Sequence, residues 1–347
     1  MCKREPQRSA AYGGILARTS VRLGCFAGGG ARSSGMVALP LAHISWSLPD
    51  NDLRKQCDAF WIDVFGAEIV YEMLITPETE KMGFDREETL LVIGDTMIIP
   101  IAPAGPGALP TSPLGNMLRK NARPNMWLGV SLRCADLKTA DAWLRAKGFT
   151  PRYDPGMENH YLMVLRKEVL GMRVEIMKGE LPNDPRLKEG WAPERWRDAH
   201  PLGIEGLQSI GVSAPDLDTA RALFAARWGW PEIHQRVSAV DDAACASFLV
   251  GDSVIEAMAP RSDNSPLAAH VRDVQGIYCL TFKVRSNEAA AAYLRGKGLR
   301  LIGDAATRFA IDPAQAFGRL IYFTDQSLDG YPPLGSTLKR PGAFPPL

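Results

Sequence analysis

His43 stands in an otherwise apolar run, LAHISWSLPD from Leu41, and Glu175 is the one carboxylate of MRVEIM from Met172. His160 opens a third such stretch, HYLMVL. Imidazole changes charge near neutral pH and a carboxylate accepts protons, so these residue types can carry acid–base work. The same groups ligate divalent metals. Each also has a plainer reading: a core histidine with a satisfied hydrogen bond for His43, an exposed strand face for Glu175, a surface histidine for His160. His200, His234 and His270 have no motif around them. The chain has no Walker lysine motif, no GxSxG and no HExxH, and its glycine run CFAGGGARSSG follows no strand-like segment. A phosphate-cradling loop and a nucleophilic triad therefore have nothing to recommend them.

What positions these residues is a repeat. AWLRAKGF at Ala142 to Phe149 recurs as AYLRGKGL at Ala292 to Leu299, and VIGDTMII from Val92 resembles LVGDSVIE from Leu249. The chain reads as a duplicated unit. Each half divides again, because a strand-like run ending in a turn occurs four times: at Leu41, at Trp127 (WLGVSLRCAD), at Leu207 (LQSIGVSAPD) and at Tyr278 (YCLTFKVRSN). A helical pattern follows each, then β-rich segments such as MRVEIM, ASFLVGD and RLIYFTD. The expected class is α+β, with four modules of one strand, one helix and about three strands. The domains expected are a leader at 1–36, a first domain at 37–180, a linker at 181–204, a second domain at 205–328 and a tail at 329–347.

Forty basic residues against 39 acidic ones give a net charge of +1. No long-range field is then available to hold nucleic acid or an anionic membrane, and a small-molecule substrate fits better. No apolar run reaches the roughly 20 residues of a spanning helix. Six cysteines are scattered without a CxxC pair, which points to a reducing cytoplasm. The first 35 residues are rich in Arg, Gly and Ser with Glu5 as their single acid, and Met36 stands just before the first strand. This leader is expected to be a disordered tail or an overextended start, ahead of a targeting peptide.

From Met36 to about Asp325 the residues resemble the vicinal oxygen chelate superfamily, which includes glyoxalase I, bleomycin resistance proteins, methylmalonyl-CoA epimerase and type I extradiol dioxygenases. The resemblance implies βαβββ modules paired into two half-barrel domains. It also implies a divalent metal inside, held by His, Gln or Glu of first and last strands. Four modules look most like the two-domain extradiol dioxygenases. With Asp50, Asp136, Asp216 and Ser286 setting the register, the implied first-strand ligand positions hold His43, Gly129, Ser209 and Cys279. The implied last-strand positions hold Ile99, Glu175, Glu256 and Tyr322. His43 and Glu175 match as a pair in the first domain, and the second domain looks degenerate.

A third ligand, or a general base, can be sought by strand geometry. If HYLMVL and MRVEIM form a hairpin around Arg166 to Gly171 with Glu175 near Leu162, then His160 shares the face of Glu175. Two histidines and a carboxylate suit nonhaem Fe(II), and also Mn, Zn, Ni or Co. Trp46, Tyr161 and Met177 are expected to line the substrate pocket, and Trp191 to Asp198 to pin the two domains together. The leading expectation is a metal-dependent enzyme on a small oxygenated, aromatic compound, with dioxygenase-like cleavage and Fe(II) favoured. The alternatives are a glyoxalase-type lyase or epimerase at the same site, and a metal-free binding or sequestration protein. A homo-oligomer stays open.

Overall fold

Four short polar residues start the four main helices. Asp50, Asp136 and Asp216 accept the backbone N–H three residues on, at 2.8, 2.8 and 2.6 Å, and Ser286 does the same at 3.2 Å. They are the turn residues that recur in the sequence, and each satisfies one of the donors that a helix leaves open at its first turn. The computed structural model describes residues 40–81, 84–104, 113–120, 125–154, 157–181 and 183–334. The leader, most of GPGALPTSPLG and the end of the tail lie outside these residues.

The first half contains β1 (Leu41–Ser47), β2 (Glu68–Met73), β3 (Arg86–Ile93), β4 (Thr96–Pro103), β5 (Met126–Cys134), β6 (Tyr161–Val164) and β7 (Arg173–Lys178). They form one sheet in the order β2-β3-β4-β1-β5-β7-β6. The second half contains β8 (Ile204–Ser213), β9 (Glu232–Ser238), β10 (Ala243–Val250), β11 (Ser253–Pro260), β12 (Gly276–Val284), β13 (Leu301–Asp304), β14 (Arg308–Ile311) and β15 (Leu320–Thr324). Their order is β13-β14-β15-β12-β8-β11-β10-β9. Each half is a curled, half-barrel sheet with its two modules joined along their first strands, β1 against β5 and β8 against β12. The second module is the abbreviated one. Among the described residues its outermost strand is reduced to a bridge between Arg152 and Met163, next to Pro151, which has no ladder donor.

Register shows how closely the four modules correspond. In the parallel pairs, Ser45 faces Ile99, Ser131 faces Glu175, Gly211 faces Glu256 and Thr281 faces Tyr322. Two residues before the first member of each pair stand His43, Gly129, Ser209 and Cys279. The eight positions aligned from sequence are therefore equivalent in space.

The outer faces of both sheets and their helices share one core. Trp61 and Phe65, on the helix Asn51–Phe65, pack on Phe282 of β12, and Phe65 also stacks on Phe323 of β15. Phe149 lies against Trp228 at 4.6 Å between ring centroids. The linker joins this core through Trp196, whose indole N–H donates to the Gly66 carbonyl at 3.1 Å. Its short helix Glu194–Asp198 also packs on β8, so it contacts both halves. Among the described residues no helix is long and apolar enough to cross a membrane.

Candidate functional site

The concave face of the first sheet encloses a cavity of about 350 Å3. His43 enters it from β1 and Glu175 from β7, with His43 Nε2 3.9 Å from Glu175 Oε1. Both side chains are largely buried, at 8 % and 17 % exposure. Ser131 donates its hydroxyl to Glu175 Oε1 at 3.0 Å. His43 Nδ1 is buried without a partner among the described residues.

The charges around the pair come from a layer beneath it. The linker residue Asp184 is fully buried and accepts from Arg186 Nε and Nη2 at 2.9 and 2.8 Å, and from Arg133 as well. Arg186 in turn donates to the carbonyls of Ala42 and Asp95 at 2.7 and 3.1 Å, which fixes it behind β1. Burial, and then the charges of Arg186, Arg133 and Arg173, push His43 down to a pKa of about 3. Burial pushes the Glu175 carboxyl up, against the pull of Arg173 and Ser131. At neutral pH His43 is thus an uncharged imidazole, beside a carboxyl that burial makes a stronger base than an exposed one.

The pH dependence of stability follows. Because the folded pKa of His43 lies below its ordinary value of 6.5, the unfolded chain takes up a proton between about pH 6.5 and 3 that the folded chain refuses. Its contribution is complete above pH 6.5 and is lost as pH falls, by up to about 1.4 kcal/mol per unit. Urea denaturation of wild type and His43→Gln between pH 4 and 7 checks this. The variant should show a flatter acid limb, and parallel curves would remove the effect.

Of the other expected site residues, His160 and Trp46 are placed differently. The β6–β7 register sets Met163 opposite Glu175 and Leu162 opposite Ile176, one residue away from the expected pairing. The face shared with Glu175 therefore carries Tyr161 and Met163, and His160 falls in the turn ahead of β6. Its side chain is exposed at the cavity rim. Tyr161 and Met177 line the cavity. Trp46 does not: it is fully buried on the opposite face of β1, against Trp127 at 4.7 Å, with its indole N–H on Asn125 at 2.9 Å. Leu114 lines the cavity too, from a helix, Pro113–Lys120, at the end of the Pro/Gly-rich connection.

A catalytic divalent metal centre needs three or more protein donors. Ile99 offers none, and Gly129 cannot be given one: a Cβ there would lie 2.0 Å from the Arg173 carbonyl oxygen across the β5–β7 pair. The Arg173 guanidinium lies 3.7 Å from Glu175 Oε2, and no group of three His, Cys, Asp or Glu side chains converges among the described residues. The residues present do not fit a three-donor metal site. Gly129→Ala is expected to cost about 1–3 kcal/mol by forcing β5 from β7, measurable by urea denaturation. Gly129→His should bring no gain in bound metal on elemental analysis; a stable Gly129→His protein with stoichiometric metal would contradict both points.

In the second half-barrel the equivalent positions are occupied by a buried ionic network. Glu256 accepts from Arg236 Nε and Nη2, both at 2.7 Å. The Tyr322 hydroxyl donates to Asp241 at 2.7 Å, and the Arg308 guanidinium sits 3.6 Å over the Tyr322 ring. Burial raises the Cys279 thiol to about 12, which leaves it a protonated core residue. Ser209 and Glu256 line a separate cavity of about 220 Å3.

Comparison with known proteins agrees with this architecture. Residues 208–317 match the sequence model of the Glyoxalase/Bleomycin resistance protein/Dioxygenase superfamily. A triple mutant of 4-hydroxymandelate synthase from Streptomyces coelicolor superposes with a TM-score of 0.56 at 14% identity, over 86% of this chain and 97% of that one. Methylmalonyl-CoA epimerase from Mycobacterium tuberculosis is 25% identical over 36% of this chain and 90% of its own, with a TM-score of 0.34. No curated protein sequence matches. The chain carries the vicinal oxygen chelate fold in its tandem form, as two half-barrels, and the match over residues 208–317 of the second half is to the glyoxalase, bleomycin resistance protein and dioxygenase superfamily.

Proposed function

We propose that the chain is an enzyme of isomerase or lyase type whose first half-barrel moves a proton on a small, mainly apolar compound bearing a carbonyl. The observation that carries this reading is the approach of His43 Nε2 and Glu175 Oε1 to 3.9 Å inside a cavity, with no hydrogen bond between them. A substrate oxygen or carbon set about 2.8–3.2 Å from each can engage both. Glu175, with its raised pKa and its Ser131 hydrogen bond, acts as the base that takes a proton next to the carbonyl. Neutral His43 can donate to the oxygen on which charge develops, provided its single proton is on Nε2. Ile99, Ile101, Leu114 and Leu128 form an apolar wall for the body of the substrate.

Dioxygenase-like ring cleavage at Fe(II), and equally Zn, Mn, Ni or Co chemistry, would supply Lewis acidity to vicinal oxygens. His43 and Glu175 offer such an ion two donors where a catalytic site uses three or more. The proton-transfer reading uses only groups that are in place. A panel of small 2-oxo acids, ketones and aldehydes incubated in D2O tests it by proton NMR. Enzyme-dependent exchange of the hydrogen next to the carbonyl supports the reading. Absence of exchange across the panel would favour a binding protein, and stoichiometric metal lost in both His43→Ala and Glu175→Ala would overturn it in favour of a metalloenzyme.

A further inference from the structure

The Arg173 side chain is buried to 11% exposure, yet the one hydrogen bond of its guanidinium among the described residues is to the thioether of Met163. Its Nε has no partner among them, and the nearest carboxylate oxygen, Glu175 Oε2, is 3.7 Å away, beyond hydrogen-bond distance. A guanidinium presents five N–H donors and keeps its charge at any ordinary pH, so burying one without an oxygen acceptor is costly. Arg86, on β3, lines the same cavity at 15% exposure. Its Nε is also without a hydrogen bond, and its contacts to Asp85 and Glu88 are long, at 3.4 and 3.5 Å. Two guanidiniums from opposite wings of the sheet thus face one cavity with donors unused, above a wall of isoleucine and leucine side chains.

We propose that the first half-barrel recognises a monocarboxylic acid with an apolar body, its carboxylate held by Arg173 and assisted by Arg86. A carboxylate matches the planar fork of a guanidinium with two parallel hydrogen bonds. The single charge is favoured over a phosphate dianion because Glu88 and Glu175 line the same space and repel a second negative charge. The apolar wall suits an aryl or branched alkyl group. That such a ligand is also the substrate rests on the proton-transfer reading; that it binds does not.

The test is calorimetric titration of the full-length protein with a series of carboxylates from acetate through benzoate and phenylacetate to 2-naphthoate, each beside its neutral amide. The acids that fit should bind at least about tenfold more tightly than their amides, and Arg173→Gln should abolish that preference while Arg173→Lys restores part of it. Arg86→Gln should weaken the acids by a smaller factor, and Arg300→Gln, far out on an exposed pair, should change nothing. The titration reads binding without turnover, so a failure of the proton-transfer reading leaves this result standing. Equal affinity for acid and amide, an unchanged preference in a folded Arg173→Gln, or no saturable binding of any acid up to about 10 mM, an affinity scale of a few kcal/mol, would overturn the assignment. The acid-to-amide comparison in wild type decides the matter even if Arg173→Gln does not fold.

Discussion

Asp184→Ala is expected to lower the free energy of unfolding by about 3–5 kcal/mol, because it leaves two buried guanidiniums without their shared carboxylate. Arg133 and Arg186 are 6 % and 2 % exposed at that contact, so water cannot take over the role of the missing anion. Burial alone would raise the pKa of Asp184, but the hydrogen bonds and charge of Arg186, and then of Arg133, hold it well below the usual carboxylate range. The carboxylate is therefore ionised wherever the protein is folded at moderate pH, and its stabilisation is lost only as pH falls through that depressed value. Asp198→Ala, which breaks an exposed pair with Arg197, is the control and should change stability by less than about 0.5 kcal/mol. Chemical denaturation of both variants gives the comparison; a loss below about 1 kcal/mol in Asp184→Ala would mean that the layer beneath His43 relaxes far more than its packing suggests.

Glu175→Gln is expected to slow proton exchange by about 10²–10⁴-fold, the range over which a positioned base contributes. The amide keeps the volume of the side chain and an oxygen that can accept from Ser131, so folding and cavity shape should persist. What it lacks is the lone pair with a carboxylate's basicity. Exchange measured by NMR at fixed substrate separates this from a binding defect, since binding of the carboxylate probe is expected to survive. A loss smaller than about fivefold would sink the role of Glu175 and shift attention to His43.

The repeat makes the architecture legible in the sequence, because an Asp or Ser at the same position begins the main helix of each module and the same two positions face each other across each parallel pair. The pairing of His43 with Glu175 follows from that equivalence. The hairpin register is not legible: between Leu165 and Met172 the chain makes a 3-10 turn and Leu170 takes a positive φ of 47°, which hydrophobic alternation does not encode. One residue of slip turns the expected His160 face into the Tyr161 and Met163 face. Trp46, in contrast, is excluded by spacing alone, since it stands three residues from His43 on one strand and so points the other way. Leu114 is hidden because a Pro/Gly-rich connection gives no sign that it ends in a cavity-lining helix. Arg173 carries no motif; only its burial without an oxygen partner marks it.

The two concave faces share no lining residue, while behind them the helix Asn51–Phe65 of the first half packs Trp61 and Phe65 on Phe282 of β12 and Phe323 of β15 in the second. In double-mutant terms, a change in one cavity and a change in the other should add, whereas changes at Phe65 and Phe323 should couple. One interior can therefore be altered without disturbing the other. The price of that independence is that neither half can be cut away, since the aromatic face it buries against the other half would be laid bare.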